Sequence, residues 1–190
     1  MNNEQERIYN EIISKYNFDE RQKEQIKLGL KNNVNVSIYA KPEFDEYQME
    51  QIQLGLEEKL DVNWYASSEF DWLQMFEIRE GLKNKLDVSL YANPEFTNWK
   101  MQEIKLGLIA KIDVSLYTKP DFTWEQMQQV RLGLQKEIDV SLYANPEFEW
   151  LQMAVIRLGL EAGLNVESYL NSNIDWEEME KIRLNLERSK

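Results

Sequence analysis

The chain is 190 residues long, carries 34 acidic against 22 basic side chains for a formal net charge of -12, and contains no histidine and no cysteine. That inventory removes disulfides, thiolate metal sites, the commonest general base and the thiol nucleophile, and its negative field works against binding nucleic acid or an anionic membrane. Hydrophobic residues at 43% and aromatics at 12% still supply ample surface for a folded core.

Residues 1–17 place Ile8, Ile12 and Tyr16 on one helical stripe with charges elsewhere, which predicts an N-terminal capping helix. A basic start followed by an apolar core is missing, as is any run of about 18 apolar residues, so neither a signal peptide nor a transmembrane helix is expected and the expected location is cytoplasmic. The sequon Asn35-Val36-Ser37 is expected to stay unmodified, because Asn35 fills a slot that holds Asp or Asn in every unit.

From Phe18 onward the sequence repeats every 26 residues without insertion: Gly29, Gly55, Gly81, Gly107, Gly133 and Gly159 keep the step, as do Tyr39, Tyr65, Tyr91, Tyr117, Tyr143 and Tyr169. Such a period marks an array in which each unit buries its apolar side against its neighbours. Within one unit, Thr123 reads as an N-cap with Gln126 three residues on, while Phe122 and Met127 flank them as a hydrophobic staple. Met127, Val130, Leu134 and Ile138 then follow helical spacing, with Leu132 on roughly the opposite side, so the long helix is covered from two directions.

That helix is expected to end near residue 136. One position later, Asn33 and Gly163 suit a left-handed turn, and Asn35, Asp61, Asp87, Asp113, Asp139 and Asn165 then cap a short apolar segment long enough for a turn and a half of helix. Pro42, Pro94, Pro120 and Pro146 stop it. Residues 174–190 replace Phe by Ile174 and Gly by Asn185 and are heavily charged, as a terminal cap requires. The expected fold is therefore all-α: a right-handed-type α-solenoid of about seven long-helix/short-helix repeats over residues 18–173, between capping units at 1–17 and 174–190.

Glycine inside a helix costs about 1 kcal/mol relative to alanine, so the glycine ladder calls for close approach by the short segment, through its tyrosine, with close approach by a ligand as the alternative. Trp72, Trp124, Trp150 and Trp176 stand at the first helical position, with Arg79, Arg131, Arg157 and Arg183 seven residues later; Trp99 and Lys105 extend the set. Stacked, these residues make an aromatic and basic stripe suited to anchoring a protein partner. The alternative is structural, each tryptophan covering a neighbouring short segment and each arginine pairing with a glutamate of the adjacent unit. Glu43, Glu69, Glu95, Asp121 and Glu147 form an acidic ladder in the turns, placed to complement the start of the following helix or to imitate a phosphate backbone. No catalytic, cofactor-binding or metal-binding residue is assigned, since the acids follow the structural period and no nucleotide or cation motif occurs.

The pattern carried by Trp124, Gln126, Met127, the Arg131-Leu132-Gly133-Leu134 run and "DVSLYANPEF" resembles tandem helical repeats of uncharacterised bacterial and mobile-element proteins, over residues 18–190. That resemblance brings no activity and no binding residues. In architecture the chain is similar to a short relative of the tetratricopeptide class, but its 26-residue period and brief second helix depart from that class, so a peptide groove of that kind is not implied. The expected function is non-enzymatic protein–protein interaction, without direct nucleic-acid or membrane binding. An acidic inhibitor or nucleic-acid mimic, of the sort a mobile element would use against a host nucleic-acid-binding or defence enzyme, is the alternative.

Overall fold

Asp45 shows how a long helix begins. Its carboxylate accepts from the Tyr47 and Gln48 amides at 2.9 and 2.8 Å, while the Gln48 side-chain oxygen accepts from the Asp45 amide at 2.8 Å. Three backbone donors that the helix leaves open are thereby satisfied. The same box recurs at Asp19, Asp71 and Thr123. The computed structural model describes residues 1–190 and contains eight helices: α1 (Asn3–Lys15), α2 (Glu20–Lys31), α3 (Glu46–Glu57), α4 (Trp72–Lys83), α5 (Asn98–Ile109), α6 (Trp124–Gln135), α7 (Trp150–Glu161) and α8 (Trp176–Arg188). There is no strand, and no helix is long and apolar enough to cross a membrane.

The helix ends follow one rule. In α3 the Lys59 amide donates to the Leu56 carbonyl at 3.1 Å and the Leu60 amide to the Gly55 carbonyl at 2.8 Å, the paired bonds of a Schellman turn. Lys59 is therefore left-handed, with φ at 58°, and Asn33, Lys85, Lys111, Glu137 and Gly163 share that conformation. The sequence pointed to this turn at Asn33 and Gly163; at the lysines and the glutamate, the fold imposes it on side chains that disfavour it.

The short segments are smaller than expected. Val36–Ile38, Val62–Trp64, Val88–Leu90, Val114–Leu116 and Val140–Leu142 are single 3-10 turns, and residues 167–169 form only a turn. The reason lies in the tyrosine that follows. At Tyr91 φ reaches -143°, which takes the chain out of the helical region and drops the ring onto the preceding long helix. Proline does not make the stop: Ser68 stands where other units have proline, and the turn still closes through Ser67 N to Tyr65 O at 2.7 Å and Phe70 N to Ser67 O at 3.2 Å.

Two compact units are formed, Met1–Met101 and Gln102–Lys190. In the first, α1 packs on α2, α2 on α3 and α3 on α4; in the second, α6 packs on α7 and α7 on α8. This succession of neighbouring helices is an α-solenoid. Each layer buries the same set of side chains: Phe44, Met49, Ile52, Val62 and Tyr65 in one, Phe122, Met127, Val130, Val140 and Tyr143 in another. Full burial of one such aliphatic side chain contributes about 1.5–3 kcal/mol, so a few per layer hold the array.

The capping glutamine also joins layers. Gln48 gives its side-chain NH2 to the Phe70 carbonyl at 2.6 Å, Gln74 to Phe96 at 2.7 Å, Gln126 to Phe148 at 2.6 Å and Gln152 to Ile174 at 2.6 Å. Glutamate would serve the capping box equally well. Only glutamine can accept within its own helix and donate to the next layer.

Candidate interaction surface

Each glycine of the ladder faces a tyrosine. A Cβ on Gly81 would stand 1.7 Å from the Tyr91 hydroxyl and 3.0 Å from Val88 Cγ1, and the other ladder glycines meet their tyrosines at 1.8–1.9 Å. The hydroxyl passes through this gap to donate to the Glu77 carbonyl at 3.3 Å, as Tyr65 does to Gln51 and Tyr143 to Gln129, both at 3.2 Å. Close approach by the short segment therefore accounts for the glycine, as the spacing indicated. Burial pushes the hydroxyls of Tyr39, Tyr65, Tyr91, Tyr117 and Tyr143 well above the usual phenol range.

The tryptophans and arginines of the predicted stripe lie in different environments. Trp72, Trp99, Trp150 and Trp176 are exposed and Trp124 is half-buried, whereas Arg79 and Arg131 are buried and Lys105, Arg157 and Arg183 half-buried. Arg79 donates through Nε to Gln51 Oε1 at 3.1 Å and through a terminal nitrogen to Glu58 at 2.9 Å, both on the preceding layer. Arg131 reaches Glu103 at 2.7 Å, the two side chains being 10% and 4% exposed. Arg157 repeats the geometry toward Gln129 at 3.1 Å and pairs with Glu161 on its own helix. In each case the partner lies 28 residues back.

At Arg183 that partner slot holds Val155, which has nothing to accept with, so the guanidinium turns to Glu180 and Glu187 of α8. Pairing with a glutamate of the adjacent unit thus holds for Arg79 and Arg131, is replaced by glutamine for Arg157, and gives way to an intrahelical pair at Arg183. The Arg183 guanidinium holds the Glu180 carboxyl below the usual range by hydrogen bonding to it. The acceptors Gln51, Glu103 and Gln129 were absent from the sequence-based site. Their signal was a polar residue recurring every 26 positions on the helix side that the apolar stripe leaves open.

What remains of the predicted stripe at the surface is aromatic. The Trp72 ring lies against Tyr47 of the adjacent helix, centroids 5.7 Å apart and planes inclined by 37°. Leu73 and Phe76 extend this patch along α4. The short turns are also apolar at the surface: Trp64 and Leu90 are exposed in the first unit, and Leu116 and Leu142 are exposed in the second. Among the turn acids, Glu43, Glu69 and Glu95 of the first unit and Asp121 and Glu147 of the second are exposed. The Glu46 carboxyl is held below the usual range by its hydrogen bond from Arg21. Groups of acids in metal-binding geometry do not occur. Comparison with family models, with curated proteins and with solved structures returns no match to the chain.

Proposed function

We propose that the chain is a non-enzymatic protein-interaction module that engages its partner through the exposed aromatic residues at the starts of its long helices. The observation that carries this reading is the solvent-facing Tyr47–Trp72 pair, a large apolar contact made by side chains that hydrophobic burial would otherwise draw inward. The arginines belong to the scaffold in this reading: Arg79, Arg131 and Arg157, committed to acceptors on neighbouring layers, keep the helices in register beneath the aromatics. The resemblance to helical-repeat arrays agrees with it, because a layered fold offers a long surface and no central pocket. A cytoplasmic setting suits a chain without cysteine.

Affinity capture from the native cell with wild-type chain, Trp72→Ala and Trp150→Ala tests the proposal. A protein recovered by the wild type and lost with a folded tryptophan variant supports it, whereas identical recovery by all three removes the aromatic surface from the function. The second reading is an acidic inhibitor, a nucleic-acid mimic directed by a mobile element at a host nucleic-acid-binding or defence enzyme. It is favoured by the exposed carboxylates Glu43 and Glu69, which form no ion pair. Mimicry predicts binding that weakens steeply with salt; an aromatic contact holds.

A further inference from the structure

The α3–α4 face carries more exposed apolar bulk than a single helix start requires. Tyr47, Trp72, Leu73 and Phe76 are 46%, 39%, 37% and 36% exposed. Trp72 and Phe76 stand one helical turn apart, and Tyr47 joins them across the helix boundary through its ring contact with Trp72. Together they form one continuous patch spread over two helices.

The rim of this patch is negative. Asp45 and Asp71 are exposed at the helix starts, Glu43 and Glu69 are exposed in the turns before them, and Glu50 is exposed one turn into α3. Glu43, Glu50 and Glu69 form no ion pair. Two nearby cations are already committed: Arg21 to Glu46 at 2.8 Å, and Arg79 to Gln51 and Glu58 with its guanidinium 5.7 Å from the Phe76 ring centre. Lys41, in the turn that carries Glu43, rests 5.7 Å from the Phe44 ring centre and is outnumbered by the carboxylates Glu43, Glu50 and Glu69. Uncompensated carboxylates around an apolar centre favour a partner that brings cations to the edge and apolar side chains to the middle.

We propose that the α3–α4 face is the docking site for a basic amphipathic helix of a partner protein, with its apolar side on Tyr47, Trp72, Leu73 and Phe76 and its lysines or arginines against Glu43, Glu50 and Glu69. This rests on the interaction-module reading and adds the site and the chemistry of the occupant. Recognition of an amphipathic helix is read by apolar residues at helical spacing, and Trp72 and Phe76 one turn apart on α4 with Tyr47 beside them present such a surface.

The test uses the full chain and two synthetic helical peptides of about 18 residues, alike in a Leu/Phe face but bearing lysine or glutamate on the other side. Binding is followed by fluorescence anisotropy of the labelled peptide. The lysine peptide is expected to bind about tenfold or more tighter than the glutamate peptide, to weaken by a similar factor in Glu50→Lys/Glu69→Lys, and to be lost in Trp72→Ala/Leu73→Ser. Both charge substitutions are at exposed positions, so they decide the matter even where the apolar double variant fails to fold.

Equal binding of the two peptides overturns the basic occupant and leaves the interaction module standing. Binding lost in Trp150→Ala but intact in Trp72→Ala overturns the location. No binding of either peptide overturns the proposed occupant, and native capture that still depends on Trp72 then shows that the module reading itself has not failed.

Discussion

Tyr143 Oη lies 1.9 Å from where a Cβ of residue 133 would sit, and it donates to the Gln129 carbonyl at 3.2 Å. Gly133 is thus a missing side chain that makes room for a hydroxyl. Gly133→Ala gains helix propensity of about 1 kcal/mol but forces the buried ring aside, for a net loss of about 2 kcal/mol. Tyr143→Phe costs about 1 kcal/mol through the lost hydrogen bond. The double variant is expected to be more stable than the sum of the two losses, because removing the hydroxyl relieves the shortest clash; urea unfolding of the four proteins measures that coupling. Strict additivity would show that the hydroxyl is not what selects glycine.

The same tyrosines set an alkaline limit. Their folded-state ionisation lies above that of an unfolded phenol, about 10. Stability from this source is fully present below about pH 10 and is lost as pH rises beyond it, since only the open chain ionises readily. Absorbance of tyrosinate from these residues and loss of helical circular dichroism should therefore rise together. Tyrosinate formation complete while helicity is intact would contradict this.

Arg131 and Glu103 form a buried pair that should be asymmetric to mutation. Arg131→Ala leaves the buried Glu103 carboxylate without its counter-ion, holding only a 3.5 Å hydrogen bond from Gln128, and costs about 3 kcal/mol. Glu103→Gln costs about 1 kcal/mol or less, because Gln51 and Gln129 already accept from Arg79 and Arg157 at 3.1 Å in the equivalent positions. Denaturant midpoints of the two variants provide the check.

The α3 layer has no basic residue at the arginine position. Gln53 stands there, where α2 and α5 carry Lys27 and Lys105, and the Oε1 atoms of Gln25 and Gln53 are buried without a hydrogen-bond partner. Gln53→Arg supplies a donor 28 residues from Gln25 and a cation near Glu57, to which Gln53 now donates at 2.9 Å. A gain of about 1 kcal/mol is expected in chemical unfolding.

Lys85 holds φ at 58° in a turn that glycine enters without penalty. Lys85→Gly is expected to stabilise by about 0.5–1 kcal/mol, and Gly163→Ala, at the equivalent position, to destabilise by about 1 kcal/mol. Thermal midpoints that move the other way would show that the left-handed turn is not strained in this setting.

Most of the layer was legible in order. Caps, staple and glycine are local signals: Asp45 and Gln48 are three residues apart, Gly81 and Tyr91 ten, and short-range geometry settles how they meet. The extent of the short segment was less legible, because "VSLYA" suits a longer helix and only the need to seat the tyrosine ends it after one turn. The site divided in the same way. Trp72 and Arg79 share a helix face in sequence, yet one is exposed and the other buried, a difference set by the neighbouring layer.

The sequence by itself determined the 26-residue period, the helix starts and the reason for each glycine, because these rest on contacts inside one unit. Only the tertiary structure decided that Arg79, Arg131 and Arg157 bind acceptors 28 residues back, that the capping glutamines reach the next layer, and that Tyr47 meets Trp72 at the surface. Those relationships depend on how far one layer is displaced against the next. That displacement is set by packing volume and polar satisfaction between layers, which no single repeat encodes.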